Sequence, residues 1–142
     1  MHEKRIEIRW RDMDAYAHVN NAVYLTYLEE VRDEWIQRLF ADGPNPAHAE
    51  ETHTAIDYVI ARVAIDFRRQ ITQSDGTIVV RCRLDHLGRS SIHTREEIRT
   101  LDGGISAEAE AVLVVRDPRT ARARPLTARE RQILEGDPRP EA

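Results

Sequence analysis

The first residues of the chain alternate between apolar and charged side chains. From Lys4 to Trp10, the residues Ile6, Ile8 and Trp10 share one side, and arginines with a glutamate occupy the other. A period of two residues is typical of a strand with one buried face. The pattern therefore predicts a first strand over residues 4–10 that turns these three apolar side chains toward the core.

The spacing of apolar residues lengthens to three or four after Asn20. Large apolar side chains recur at Tyr24, Tyr27, Leu28, Val31, Trp35 and Leu39, with charged residues between them. This spacing predicts a long amphipathic helix that begins at Asn20 or Asn21. An asparagine suits the start because its side-chain oxygen can accept a hydrogen bond from an unpaired N–H group of the first turn. Gly43 and Pro44 mark the helix end, and residues 41–57 have no period and are predicted to form a loop.

Four more stretches return to the period of two. The predicted strands cover residues 59–69, 77–87, 90–100 and 105–117. Turn residues lie between them, at 74–76, 88 and 102–104, so the last three strands are expected to form an antiparallel meander. The side chains expected to face inward are Val63, Ile65 and Phe67 in the first of these strands, and Ile105, Ala107, Ala109, Ala111, Leu113 and Val115 in the last.

The predicted elements define a fold class. Thr127 and Glu130 have the spacing of a capping box, which adds a short helix near the C-terminus. One strand, one long helix, four strands and a small terminal helix are typical of the α+β class and not of an alternating βαβ series. A chain of 142 residues suits one compact domain. We therefore expect a single domain over 1–142, with a C-terminal extension over about 118–142.

The composition excludes several kinds of partner. A net charge of −4, with 32% charged and 41% hydrophobic residues, gives no electrostatic reason to expect a nucleic-acid partner. No apolar stretch is long enough to span a bilayer, and residues 1–10 do not resemble a signal peptide. We expect a cytoplasmic protein without a membrane partner. Cys82 is the only cysteine, so it cannot form an internal disulfide, and we expect it to be buried in a strand.

Candidate chemistry is concentrated in residues 9–21, between the first strand and the helix. Asp12, Asp14 and His18 lie there, within a few residues of the unpaired N–H groups at the helix start. Such N–H groups favour negative charge, so a thioester carbonyl placed beside them would be polarised while the Asp14 carboxylate acts on its carbon. The alternative is structural: both aspartates stabilise turns, Asn20 caps the helix and His18 is hydrogen-bonded without any catalysis.

A metal site is not expected. His48 and His53 share the predicted loop at a spacing that metals sometimes use, but no third ligand accompanies them. Two histidines of this kind are more often exposed to solvent.

Residues 12–24 closely resemble the opening motif of the 4-hydroxybenzoyl-CoA thioesterase family of hotdog proteins. The family pattern Asp-x-Asp-x-x-Gly-His-Val-Asn-Asn-x-x-Tyr appears here as Asp-Met-Asp-Ala-Tyr-Ala-His-Val-Asn-Asn-Ala-Val-Tyr. Further matches lie at residues 27–32, 65–67 and 87–91, so the resemblance covers most of the chain. One departure is Ala17, which replaces the usual glycine; if that position needs a positive φ, alanine strains the loop.

The resemblance implies a fold and an assembly. It implies the hotdog fold, in which a curved five-stranded antiparallel sheet wraps one long central helix. Active sites are then expected at a subunit interface of a homodimer or homotetramer. The implied substrate is an acyl-CoA thioester, and neither a metal nor a bound cofactor is implied.

The resemblance also assigns roles to residues. Asp14 would be the catalytic carboxylate, acting as nucleophile or as general base. Substrate-binding roles would fall on His18, Asn20, Asn21, Tyr24, Arg89 and Ser90: His18 shapes the site, Asn21 lends its backbone N–H, and Tyr24 lines the pocket. Arg89 and Ser90 would contact the nucleotide or pantetheine part of CoA, and the guanidinium fork suits phosphate.

Two other functions remain open. The protein could hydrolyse acyl groups carried on acyl carrier protein, for which a basic rim would have to meet an acidic partner. It could also be a non-catalytic hotdog module that binds acyl-CoA, since fold alone does not fix function. The preferred acyl group is open in every case, because pocket depth between subunits is not visible in the sequence.

Overall fold

The computed structural model describes residues 1–41 and 56–138. The elements in chain order are β1 (His2–Glu7), α1 (Asn21–Phe40), β2 (Tyr58–Phe67), β3 (Thr77–Leu87), β4 (Ser91–Thr100), β5 (Ile105–Val115) and α2 (Ala128–Glu135). Two single turns of 3-10 helix, Trp10–Asp12 and Gln73–Asp75, lie in the connections. Most of the predicted loop at 41–57, with His48 and His53, lies outside the described residues.

The five strands form one antiparallel sheet in the order β1-β3-β4-β5-β2. The consecutive strands β3, β4 and β5 are neighbours, as expected of a meander, and β1 and β2 form the two edges. The α+β prediction is confirmed, as is the five-stranded antiparallel sheet with one long helix.

The long helix α1 begins and packs as its apolar spacing predicts. Asn20 is the N-cap, and its Oδ1 accepts a hydrogen bond from the Ala22 N–H at 2.9 Å. The helix packs mainly over β3 and β1. Its buried apolar residues are Tyr24, Tyr27, Leu28, Val31, Trp35, Ile36 and Phe40, while Leu39 is only half-buried. Among the described residues, no helix is both long enough and apolar enough to cross a membrane.

The first strand is shorter than the sequence predicts. It ends at Glu7, and Trp10 instead begins a 3-10 turn in which 79% of its surface is exposed. Ile6 and Ile8 are buried as expected, so the prediction was wrong only for Trp10. The physical reason is the turn itself, because the Asp12 side chain bonds to the Arg9 N–H and rotates the chain out of the strand.

Strand β2 differs from its prediction in exposure. It ends at Phe67 and not at residue 69, and Phe67 is 50% exposed while Val63 and Ile65 are half-buried. These side chains do share one face, since they pair with Ala107, Ala109 and Ala111 of β5. The face is incompletely covered because β2 is an edge strand and α1 lies mainly over β3 and β1, toward the other edge of the sheet.

The remaining predictions for strands and turns hold. Along β5 the five inward-facing residues from Ala107 to Val115 are buried, while Ile105 at its start is half-buried. Gly76 and Gly103 take positive φ angles of 70° and 88°, which glycine adopts without strain. The capping box of α2 is present, and Cys82 is fully buried.

A buried ion pair joins α1 to the sheet. The Arg32 guanidinium donates two hydrogen bonds to the Glu96 carboxylate of β4, at 2.7 and 2.8 Å, and both residues are less than 5% exposed. Thr94 donates a further bond to Glu96 at 2.8 Å. Burial lowers the pKa of Arg32, but the hydrogen bond and the charge of Glu96 outweigh burial and the pKa is raised. Arg32 therefore stays charged inside the core.

We expect the loss of one partner to be far more harmful than the loss of both. Arg32→Met or Glu96→Met alone should lower the free energy of unfolding by about 3 kcal/mol, because each leaves an uncompensated buried group. The double variant should lose less than either single variant in urea denaturation. The matched surface pair is Arg68 and Glu108, 3.2 Å apart and about half exposed, where the same substitutions should cost less than about 1 kcal/mol. Additive losses at the buried pair would contradict this account.

Candidate active site

The connection between β1 and α1 is a closed loop. The Asp14 N–H donates to the His18 carbonyl at 3.0 Å, and Met13 and Val19 form an isolated antiparallel bridge. The Val19 N–H donates to the Ile71 carbonyl at 2.7 Å, which ties the loop to the segment after β2. Because both ends of the loop are bonded, residues 14–18 project as a defined unit beside the helix start.

Asp14 has one oxygen fixed and the other near an imidazole. Its Oδ1 accepts a hydrogen bond from the Tyr16 N–H at 2.8 Å, and its Oδ2 lies 3.4 Å from Nδ1 of His18. The Asp14 side chain is 22% exposed. The turn expected in the structural alternative is therefore present, yet the second oxygen remains available to react with a bound molecule.

Asp12 lies in a different environment from Asp14. It is only 8% exposed, and its Oδ2 accepts hydrogen bonds from the Arg9 N–H at 3.0 Å and from the Tyr27 hydroxyl at 2.7 Å. Burial, followed by the bond to Asp12, raises the pKa of Tyr27 well above its usual value. Asp12 therefore anchors the loop to α1. The sequence placed Tyr27 on the apolar helix face but gave no sign of this bond.

Ala17 has a positive φ of 64°. A positive φ at this position was anticipated from the resemblance, because the family has glycine there. The left-handed conformation lets the Ala17 N–H donate to the Asp14 carbonyl at 3.2 Å and closes the loop. An L-residue with a Cβ atom is strained here, at about 1 kcal/mol.

The helix start leaves one N–H group open beside this loop. The Ala22 N–H donates to the Asn20 side chain and the Val23 N–H to the Asn20 carbonyl. Within residues 1–41 and 56–138, the Asn21 N–H has no protein acceptor. It is therefore a donor of the first turn that a ligand could use, as the resemblance implies.

Tyr24 is almost fully buried between the helix start and the end of β2. Only 3% of it is exposed, its hydroxyl donates to the Arg69 carbonyl at 3.4 Å, and burial raises its pKa. Its ring meets Phe67 edge-on with the centroids 5.1 Å apart. Tyr24 thus joins the helix start to the end of β2, and Phe67 presents the exposed surface there. His18 is partly exposed, and its ring stacks with that of Tyr16, which is 82% exposed.

Arg89 and Ser90 lie at the other end of the sheet. They form the turn between β3 and β4, whereas Ile71 and the loop at 14–18 lie beyond the opposite ends of these strands. The 11 residues of β3 separate the two ends, which at roughly 3.3 Å per residue is about 36 Å. One chain therefore brings Asp14, His18, Asn20, Asn21 and Tyr24 together, but it does not bring Arg89 and Ser90 to them.

No metal site is found in the part of the chain that the structure describes, where no group of three or more histidine, cysteine, aspartate or glutamate residues could hold an ion. His48 and His53 lie outside that part. The expected absence of a cofactor stays a prediction.

Comparison with known proteins agrees with this architecture. The five-stranded antiparallel sheet with one long helix is the hotdog fold of solved thioesterases. The chain belongs to the Thioesterase-like superfamily, whose family model matches residues 8–132. This confirms the family resemblance seen in residues 12–24.

Several relatives match nearly the whole chain. The long-chain acyl-CoA thioesterase FadM of Escherichia coli is 32% identical over 136 residues, which cover 94% of this chain and 96% of FadM. A thioesterase from Thermus thermophilus, solved in complex with coenzyme A and zinc, is 34% identical with a TM-score of 0.77 and 96% coverage of both chains. The PA2801 protein of Pseudomonas aeruginosa is 29% identical with a TM-score of 0.76, over 92% of this chain and 95% of that one.

Ala17→Gly should stabilise the protein by about 1 kcal/mol, because glycine adopts the left-handed conformation without steric strain. The denaturant midpoint measures the change. Ala121 has a φ of 57° far along the chain, so Ala121→Gly should stabilise similarly. The control is Ala15→Gly in the same loop, where φ is not positive and no gain is expected. A gain at Ala15 equal to that at Ala17 would contradict the strain explanation.

Proposed function

We propose that this protein hydrolyses acyl-CoA thioesters to a free carboxylic acid and CoA. Asp14 is the catalytic carboxylate, and the Asn21 N–H at the start of α1 polarises the thioester carbonyl. The observation that carries the proposal is the geometry of the loop: a partly exposed carboxylate with one fixed oxygen lies beside an open helix N-terminus. Membership of the Thioesterase-like superfamily supports this reaction class.

The loop supplies the two groups that thioester hydrolysis needs. A carboxylate oxygen of Asp14 either attacks the carbonyl carbon or takes a proton from the water that attacks it. In the first route the C–S bond breaks, the CoA thiolate leaves and is protonated, and water then hydrolyses the acyl-aspartyl anhydride. In the second route water adds directly, and its proton ends on the departing sulfur. In both routes the Asn21 N–H stabilises the negative charge on the carbonyl oxygen.

The relatives narrow the first choice of substrate. FadM is a long-chain acyl-CoA thioesterase, and the Thermus thermophilus structure holds coenzyme A. Long-chain acyl-CoA is therefore the first substrate to test in a panel that also contains short-chain and aromatic acyl groups. Faster turnover of the same acyl group on acyl carrier protein would favour the carrier-protein alternative instead.

Asp14→Asn should lower kcat by about a thousandfold, because the amide can neither attack the carbon nor accept a proton. The fold should survive, since the amide oxygen can still accept the Tyr16 N–H. Release of free thiol from the acyl-CoA panel measures the rate.

Asp117→Asn is the matched control. Asp117 accepts the Arg119 N–H at 2.8 Å in the same kind of turn, outside the loop. Its variant should keep wild-type activity. If Asp14→Asn retained activity, Asp14 would not be the catalytic group; if the wild-type protein bound acyl-CoA without hydrolysing it, the protein would be a binding module.

We also propose that the working site is shared between two copies of the chain. The Asp14 loop lies near the Phe67 end of β2, since Tyr24 contacts Phe67, and the turn with Arg89 and Ser90 lies near the Tyr58 end, since Ser90 bonds to Val115. Antiparallel pairing of β2 with β2 of a second copy would place the Phe67 end of one strand beside the Tyr58 end of the other. Each Asp14 would then lie near the partner's Arg89.

The β2 edge has the properties of such an interface. It is an edge strand whose outer side pairs with no other strand in residues 1–41 and 56–138. It carries exposed apolar side chains, Val59 and Ile60 at about 40% and Phe67 at 50%. The backbone N–H and C=O groups along a long apolar edge strand can pair with a strand of another chain.

Mixing two defective variants should restore activity if the site is shared. Asp14→Asn removes the carboxylate and Arg89→Met weakens CoA binding, so a mixed dimer contains one site in which both residues are intact. After denaturation and refolding of an equal mixture, about a quarter of wild-type activity is expected at low substrate concentration. If the site lay within one chain, the mixture would show only the average of the two separate variants.

A further inference from the structure

The backbone carbonyls of the turn between β3 and β4, residues 88–90, are hydrogen-bonded by residues that follow later in the chain. The Arg131 guanidinium of α2 donates to the Gly88 carbonyl at 2.6 Å and lies 3.4 Å from the Arg89 carbonyl. The Leu126 N–H donates to the Arg89 carbonyl at 2.9 Å, and the Val115 N–H donates to the Ser90 carbonyl at 2.9 Å. All three carbonyls of residues 88–90 therefore point toward the protein and are bonded.

The opposite side of the same turn is open. Over the described ranges 1–41 and 56–138, the backbone N–H groups of Arg89 and Ser90 have no protein acceptor. The Arg89 side chain is exposed beside them. Two unpaired N–H groups next to a guanidinium form a donor cluster that suits phosphate oxygens or an amide carbonyl. Phosphates and amide carbonyls both occur in the CoA portion of an acyl-CoA.

The α2 helix, which carries Arg131, is itself fixed by several contacts. The α2 helix begins with a capping box between Thr127 and Glu130, and Leu134 near its end is fully buried. The Arg124 guanidinium binds both oxygens of Glu130 at 2.8 Å. Arg131 follows directly in the chain, so its guanidinium is presented to the turn from a fixed backbone.

We infer that Arg131 is a positioning residue for substrate binding. It holds the carbonyls of Gly88 and Arg89 inward, so that the N–H groups and the Arg89 side chain face the CoA portion of the substrate. Arg131 itself faces the carbonyl side of the turn and does not contact substrate. The inference rests on the proposed function and adds a role for the C-terminal extension in recognising CoA.

The test compares acyl-CoA with the N-acetylcysteamine thioester of the same acyl group, which lacks the nucleotide. Arg131→Met should raise KM for acyl-CoA about tenfold, the usual effect of losing a charged hydrogen bond. The kcat value should be little changed, and neither constant should change for the truncated thioester. Arg131→Lys, which retains one charged donor, should recover part of the loss.

Arg129→Met is the matched control, because Arg129 is exposed on the same helix and should leave both substrates unaffected. Equal losses with both substrates would show a general structural defect and overturn the inference. An Arg131→Met variant with the constants of the Arg129 control would overturn it as well.

Calorimetric binding of CoA separates this inference from the proposed function. The dissociation constant for CoA should rise about tenfold in Arg131→Met and in Arg89→Met, even if the wild-type protein hydrolyses no thioester. Binding weakened by Arg89→Met but not by Arg131→Met would leave the proposed function standing and remove the role of Arg131. If the wild-type protein hydrolysed no thioester but both variants bound CoA more weakly, only the proposed function would be contradicted.

Discussion

The ion pair between Arg32 and Glu96 fixes how the helix lies on the sheet. Two charges without water are stable only when each finds its partner, and here the pair is bidentate and Thr94 adds a third bond. A one-residue rotation of α1 would separate the charges in an apolar core. The free-energy cost of separating the two charges therefore fixes the position of α1 on the sheet. This cost matters more than the strength of the ion pair itself. The position of the helix N-terminus, and of the loop attached to it, depends on where α1 lies.

The two aspartates of the loop show how one segment divides structural and chemical roles. Asp12 gives its carboxylate to the Arg9 N–H and to the buried Tyr27 hydroxyl, which leaves it no access to a substrate. Asp14, two residues further on, keeps an oxygen near His18 and partial exposure to solvent. The strained Ala17 closes the loop between them and the helix. The anchoring of Asp12 is thus the condition under which Asp14 can be held in place beside an open N–H group.

The sheet separates two groups of donors and acceptors by its full length. At one end lies the loop with Asp14. At the other lies the turn of residues 88–90, whose carbonyls are bonded by β5 and the C-terminal segment. The Arg89 and Ser90 N–H groups of this turn have no acceptor among the described residues. The half-exposed apolar face of β2 connects the two ends along the edge of the sheet. A single chain therefore keeps these two groups apart, which is the reason for proposing a site shared between two copies.

Elements with local signals could be predicted from the amino-acid sequence. Asn20 as N-cap, the alternation along β5 and the capping box at Thr127 were all readable, because each depends on neighbours within a few residues. Family resemblance added the expectation of strain at Ala17. Other features became visible only in the folded chain: Trp10 leaves the strand and Phe67 stays half exposed. The same holds for three contacts, which join Asp12 to Tyr27, Arg32 to Glu96 and Arg131 to Gly88. These contacts join residues 15 to 64 positions apart, or depend on which strand is an edge, and no periodicity within one segment carries that information.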